Sequence, residues 1–321
     1  MGIVRFIGSL TAFVAGFILL LLAMILCVGR LLDRASFELP NGRTTLVLGD
    51  SQMEFALNDS ILDRTVSVAQ SGEAYLYAFA KARRFIADNP GLDTIWLSYN
   101  MNSLERRQEI LTRSERYSKN KIPYNFFLLR ASDLDLFRDQ GSAYEVLART
   151  PWLRRNYIKK ALRRATTYRD LSFGGYTRSY RYKLAMDVAH RDSLINAKAT
   201  RPPGFGEAKD QVRYLAELVE LCKRKGVTCI LINTPVHPVI KAEADTAAYY
   251  AFWREHMADV PLWDHSDWTF PDSCFGDATH MNHRGATLYS EYLQALRANG
   301  WKGVEERRVS IRQDPPLTDR P

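Results

Sequence analysis

Short apolar runs rich in β-branched and aromatic residues recur along the chain at residues 44–48, 65–68, 94–99 and 227–232, with a weaker fifth at 260–263. Between and after them lie helical patterns at residues 73–88, 207–225, 242–257 and 283–298. Strands that are apolar throughout have both faces buried, and connections long enough to hold a helix join parallel neighbours through right-handed crossovers. This alternation predicts an α/β domain whose parallel sheet is covered by helices on both faces. An insertion over residues 103–205 separates the third and fourth strands and is predicted to be mainly helical.

Residues 6–28 carry no charge over 23 positions. As a helix this run would be roughly 34 Å long, enough for a hydrocarbon core of about 30 Å. The sequence after Val28 has no small-residue cleavage site of the A-x-A type, and bulky Leu26 precedes Cys27, unlike a lipoprotein signal. An uncleaved single-pass anchor over residues 1–35 is therefore expected. Arg5 on one side competes with Arg30, Arg34 and Arg43 on the other, so charge does not orient it.

The net charge of +8 has one source. Residues 151–201 hold thirteen Lys or Arg against three Asp. Arg154, Arg155, Lys159, Lys160, Arg163 and Arg164 alternate there with Trp152, Leu153, Tyr157, Ile158 and Leu162, the pattern of a basic amphipathic helix on an anionic surface. A solvated helix face is the plainer reading. No nucleic-acid recognition motif accompanies the patch, and no nucleic-acid partner is expected. Four cysteines at 27, 222, 229 and 274 lack paired C-x-x-C spacing, and the histidines lack H-E-x-x-H spacing, so no metal site is expected. Without a Walker loop or a G-x-G-x-x-G fingerprint, no nucleotide cofactor is expected either.

Open parallel sheets place their sites beyond the carboxyl ends of the strands, and polar residues collect there in this chain. Gly49-Asp50-Ser51 follows the first strand, Gln70-Ser71-Gly72 the second, Asn100-Met101-Asn102 the third, and Asp277-Ala278-Thr279-His280 precedes the last helix. Ser51 on a tight strand-to-helix turn is the candidate nucleophile, with the plain alternative of a helix N-cap. His280 is the candidate base and Asp277 the carboxylate that orients it, with Asp272 or Asp264 as substitutes. The N–H groups of Ser51 and Gly72 and the amide of Asn100 are candidate oxyanion donors, with Asn102 as the alternative to Asn100. Asp50 reads as a loop brace. His237, after the fourth strand, is a candidate for lining a substrate cleft, with a solvated loop histidine as the plainer alternative.

With these blocks in this order, the chain resembles the SGNH, or GDSL-type, serine hydrolases. Their GDS block corresponds to Gly49-Asp50-Ser51, their second-block glycine to Gly72, their G-x-N block to Ser98-Tyr99-Asn100, and their D-x-x-H block to Asp277–His280. Ser98 departs from the family glycine. The resemblance covers residues 44–102 and 226–298. It implies a flavodoxin-like, three-layer α/β/α sandwich over residues 36–304, interrupted by the insertion and followed by a polar tail at 305–321. It implies an acyl-serine mechanism on ester-linked acyl groups, acetyl above all. The anchor and insertion are similar to those of membrane-anchored relatives in lipoteichoic-acid D-alanylation and alginate O-acetylation. Those work on envelope glycans beside a membrane acyltransferase of the MBOAT class, with the catalytic domain outside the cytoplasm. A non-catalytic accessory subunit that docks such an acyltransferase or an anionic polymer is the second expectation.

Overall fold

The structure is a computed structural model that describes residues 2–33, 35–114, 117, 121–122, 125, 128–134, 167–171, 173–179, 205–238 and 246–301. The chain falls into two compact units, one from residues 1–37 and 115–172 and the other from residues 38–114 and 173–321. The basic segment 154–164 and the tail 305–321 lie outside the described residues.

The first unit contains helix α1, Gly2–Asp33. Its stretch Arg5–Met24 has a mean hydropathy of 2.4 and none of it is buried, so Phe6, Phe13, Leu19 and Leu20 present their side chains outward. The helix is long and apolar enough to span a membrane or to serve as a signal sequence. In the same unit Tyr168 packs on Phe37 at a ring separation of 6.3 Å and donates its N–H to the Ser36 carbonyl at 2.9 Å.

The second unit is built on a five-stranded, fully parallel sheet of β1 (Thr45–Leu48), β2 (Thr65–Ser67), β3 (Thr94–Ser98), β4 (Thr228–Asn233) and β5 (Leu262–Asp264). The strand order is β2-β1-β3-β4-β5, with Leu46 opposite Val66 and Ile95, and Leu97 opposite Leu231. This is the 2-1-3-4-5 order of flavodoxin-like sheets, in which the switch point falls between β1 and β3. The connecting helices are α2 (Ser51–Ala56), α3 (Tyr75–Asp88), α4 (Arg106–Arg113), α5 (Lys209–Lys225), α6 (Thr246–His256) and α7 (His283–Ala298).

Alternation along each strand sends successive side chains to opposite faces. Val47, Trp96, Ile230 and Ile232 form one core with Met53 and Leu57, from α2 and just after it, and with Tyr289 and Leu293 of α7. The alternate residues Leu46, Leu48, Ile95, Leu97 and Leu231 are equally buried, and helices α3 and α5 pack together with the Phe79 and Tyr214 rings 6.0 Å apart. Helix ends follow ordinary capping physics. Gly226 closes α5 at φ 68°, with Lys223, Arg224 and Lys225 in the last turn, where the helix dipole favours cations. Asn282 caps α7 by accepting from the Gly285 N–H at 3.1 Å.

Candidate active site

The turn after β1 sets the first element of the site. Gly49 has φ 139°, and a Cβ placed on it would overlap the Ser98 Cβ and come within 3.1 Å of the Ser98 nitrogen. Only glycine lets β1 and β3 approach so closely there. Asp50 then caps α2. Its Oδ1 accepts from the Gln52 N–H at 3.1 Å and the Ser98 hydroxyl at 3.0 Å, and its Oδ2 accepts from the Asn100 amide at 2.7 Å. Asp50 therefore braces the turn by joining the β1 and β3 loops. Ser51 is the first residue of α2, where a helix leaves N–H groups without intrahelical acceptors.

The loop before α7 brings the partner groups. Asp277 Oδ1 accepts from the Thr279 N–H at 2.9 Å, the Thr279 hydroxyl at 3.0 Å and the His280 N–H at 3.0 Å, which winds the loop around the carboxylate. His280 Nδ1 lies 2.9 and 2.8 Å from the two Asp277 oxygens. Its Nε2 lies 2.7 Å from Ser51 Oγ. A ring nitrogen between two carboxylate oxygens must carry the proton, which leaves Nε2 as the acceptor for the serine hydroxyl. The Phe55 ring, one turn beyond Ser51, meets the imidazole edge-on at 5.3 Å. Burial raises the Asp277 pKa, but the bond to His280, the charge of His280 and the two Thr279 donors outweigh it and hold the carboxyl at about 2. The loop is seated on Gly285, where a Cβ would overlap the Cys274 carbonyl oxygen.

Gly72 lies on the β2 loop at φ 62°. Asn100 is buried. Its amide donates to Asp50 and stands 3.3 Å from the Ser98 hydroxyl, while its Oδ1 accepts from the Asn102 N–H at 2.9 Å. Asn102 thus supports Asn100 through its backbone. Ser98, standing at the glycine position of the third block, lies between Asp50 and Asn100 and bonds to both.

His237 reaches the same edge, where its side chain is buried rather than solvated. The side chain is only 5% exposed, its Nε2 pairs with Asp272 at 3.0 Å, its ring meets Phe275 at 5.4 Å, and its N–H bonds to the Ala278 carbonyl at 3.1 Å. It buttresses the loop that carries Asp277 and His280. Asp272 is thus engaged with His237. Asp264 accepts from Asn233, Ser266 and Tyr250. Neither stands in for Asp277. Among the described residues no three His, Cys, Asp or Glu side chains gather in a way that would hold a metal ion.

Three features were not anticipated from the sequence. Glu54 on α2 accepts from both the N–H and the hydroxyl of Ser71 and from the Thr177 hydroxyl at 2.7 Å. Lys81, fully buried on α3, pairs with Glu73 at 2.6 Å and donates to the Val68 and Phe173 carbonyls at 2.8 and 2.6 Å. Burial lowers the Lys81 pKa, while Glu73 and then Glu54 raise it. A lysine inside the aromatic and alanine run of residues 75–82 was the available signal. The third feature is the extended segment 173–179, which runs past the β2 loop. Gly175 N–H bonds to the Ala69 carbonyl at 2.9 Å, Thr177 N–H to the Glu54 carbonyl at 3.1 Å, and the Ser179 carbonyl accepts from His283 N–H at 2.8 Å. A Cβ on Gly174 would overlap the Ala69 oxygen, so the Gly174-Gly175 pair marked this close approach.

Comparison with known proteins adds little to this geometry. A family model that carries no description matches residues 150–299, under half of the chain. No curated protein matches. The crystal structure of a candidate acylhydrolase from Bacteroides fragilis is similar over 84% of this chain and 93% of its own, at 10% identity and a TM-score of 0.35.

Proposed function

We propose that the chain is an SGNH-type serine esterase or O-acyltransferase that forms an acyl-Ser51 intermediate. The observation that carries this reading is the unbroken relay from Ser51 Oγ through His280 to Asp277: a 2.7 Å bond joins Ser51 to His280, 229 positions away, and a 2.8 Å bond joins His280 to Asp277. A hydroxyl is a poor nucleophile until a base takes its proton, and this arrangement supplies the base in the correct tautomer.

In the first half-reaction Ser51 Oγ attacks the ester carbonyl carbon as its proton passes to His280 Nε2. Asp277, ionised throughout, stabilises the imidazolium so formed. The carbonyl oxygen becomes an oxyanion facing the N–H groups of Ser51 and Gly72. The Asn100 amide bonds Asp50 and, at a longer 3.3 Å, Ser98, and it becomes the third donor by turning the second N–H from Ser98 to the oxyanion. Collapse of the adduct breaks the carbon–oxygen bond to the leaving alcohol, which takes the proton from Nε2. In the second half, water or a sugar hydroxyl gives its proton to Nε2 as it attacks the acyl carbon, and collapse of that adduct breaks the acyl–Oγ bond as Ser51 Oγ takes the proton back from Nε2. Hydrolysis and transfer differ only in that acceptor.

The exposed apolar helix α1 supports a single-pass anchor; a sheet unit outside the cytoplasm, with acetylated envelope glycans as its substrate class, rests on the family resemblance. An MBOAT-class acyltransferase fits as a membrane partner. The accessory-subunit reading needs no relay, so the geometry favours the enzyme.

The test uses the full chain in detergent with a fluorophosphonate probe and a small activated acetyl ester. Labelling at Ser51 is expected. Ser51→Ala and His280→Ala should each lower turnover by about 10⁴-fold or more, and the double variant should be little worse, because such residues act as a unit. Wild-type turnover in a folded Ser51→Ala protein would refute the assignment.

A further inference from the structure

We propose that Glu54 is a positioning residue that fixes the Gly72 N–H relative to Ser51; this rests on the serine-hydrolase reading above. Glu54 follows Ser51 by three residues on the same short helix, so the two side chains keep a fixed relation. Its carboxylate is nearly buried, and every hydrogen bond it makes is accepted. One oxygen takes both donors of Ser71, the residue immediately before Gly72, and the other takes the Thr177 hydroxyl at 2.7 Å.

The other side of Gly72 is held as firmly. Glu73 pairs with the fully buried Lys81 at 2.6 Å, and its N–H closes the turn onto the Gln70 carbonyl at 3.0 Å. Gln70 N–H in turn bonds to the Gly49 carbonyl at 2.9 Å, tying this loop to the turn that carries the nucleophile. Gly72 is therefore a left-handed residue between two anchored neighbours, and the direction of its N–H follows from them. Of the two anchors, only Glu54 is on the helix that presents Ser51. Through this side chain, alongside the backbone bond from Gln70 to Gly49, a displacement of nucleophile or donor is passed to the other.

Oxyanion donors act on the transition state, so their placement affects kcat more than substrate binding. Replacing the carboxylate by an amide keeps one acceptor oxygen and puts N–H groups in place of the other, so either the two Ser71 donors or the Thr177 hydroxyl loses its acceptor and the bracing of the loop is weakened. Losing a donor outright costs about 10²–10³-fold and misplacing one costs less, so Glu54→Gln should lower kcat about 10–100-fold.

The experiment compares the full chain with its Glu54→Gln variant in detergent. Expected are the fall in kcat, a KM within about twofold, weaker inhibition by a trifluoromethyl ketone in the same proportion as kcat, and an unchanged pH profile of kcat/KM. Hydrogen exchange in the peptide spanning residues 70–73 should also quicken, a readout independent of turnover. An unchanged kcat, a loss confined to KM, or unaltered exchange in this peptide would overturn the role of Glu54. Ser71→Ala, which removes one of the two Ser71 donors, should move kcat and exchange the same way by a smaller factor if Glu54→Gln fails to fold. An inactive wild type with no label at Ser51 would instead sink the serine-hydrolase reading, with the exchange result still deciding the Glu54 anchor.

Discussion

Gly49→Ala tests how the nucleophile turn is packed. Two costs are visible. The residue stands at φ 139°, where a side chain is strained, and holding a non-glycine residue in a sparsely populated region costs about 1–3 kcal/mol. The added methyl also overlaps the Ser98 Cβ and comes within 3.1 and 3.2 Å of the Ser98 nitrogen and Cα, inside the ~3.5 Å of a comfortable carbon contact. Relief requires β1 and β3 to separate at their carboxyl ends, and overpacking of that kind costs about 1–3 kcal/mol. The sum, about 2–6 kcal/mol, is a large share of a domain stability of roughly 5–15 kcal/mol. Ser98→Gly alone should cost about 1–3 kcal/mol, since it removes the hydroxyl that bonds Asp50 and Asn100 and adds backbone freedom. In the double variant the overlap with the Ser98 Cβ disappears while the strain at φ 139° stays. The two effects should therefore fall short of additivity by about 1–3 kcal/mol. The assay is urea unfolding of the full chain at fixed detergent, followed by tryptophan emission, with ester turnover measured alongside. A Gly49→Ala protein with an unchanged midpoint would refute the steric account. Strict additivity in the double variant would refute the specific conflict with Ser98.

Two further outcomes follow from the site. Asn100→Ala should lower kcat about 100-fold or more with little change in KM, and Asn102→Ala should do much less, because Asn102 engages Asn100 through its backbone N–H; equal losses at both positions would refute this division. Asp277 is held at about 2 in the fold, below the roughly 3.9 of an unfolded aspartate, so the stabilisation it brings is present above about pH 4 and lost as pH falls towards 2. The melting-temperature gap between wild type and Asp277→Asn should accordingly be steady above pH 5 and close between pH 4 and 2, and a gap that widens on acidification would contradict the sign.

The chain's own pattern determined the class of fold. Apolar runs at residues 44–48 and 94–99 admit only strands buried on both faces, and the helix-length spacers between strands force parallel pairing; β1, β3 and the rest fall within a residue or two of the expected limits. The order of polar blocks at strand ends marked Ser51, Gly72, Asn100, Asp277 and His280, because a parallel sheet gathers its carboxyl ends whatever lies between them. What the linear pattern could not carry was which polar groups meet across those loops. Glu54 reads as an ordinary charge on a short helix until the β2 loop is folded beside it. Lys81 is buried because Glu73 and two carbonyls converge on it, and none of these follows from α3 alone. His237 follows β4 in the sequence, but its burial against Phe275 and Asp272 depends on a loop 35 residues further on. Helix and strand identity are set by local periodicity, whereas desolvation and hydrogen-bond partnership depend on long-range contacts that only the tertiary structure decides.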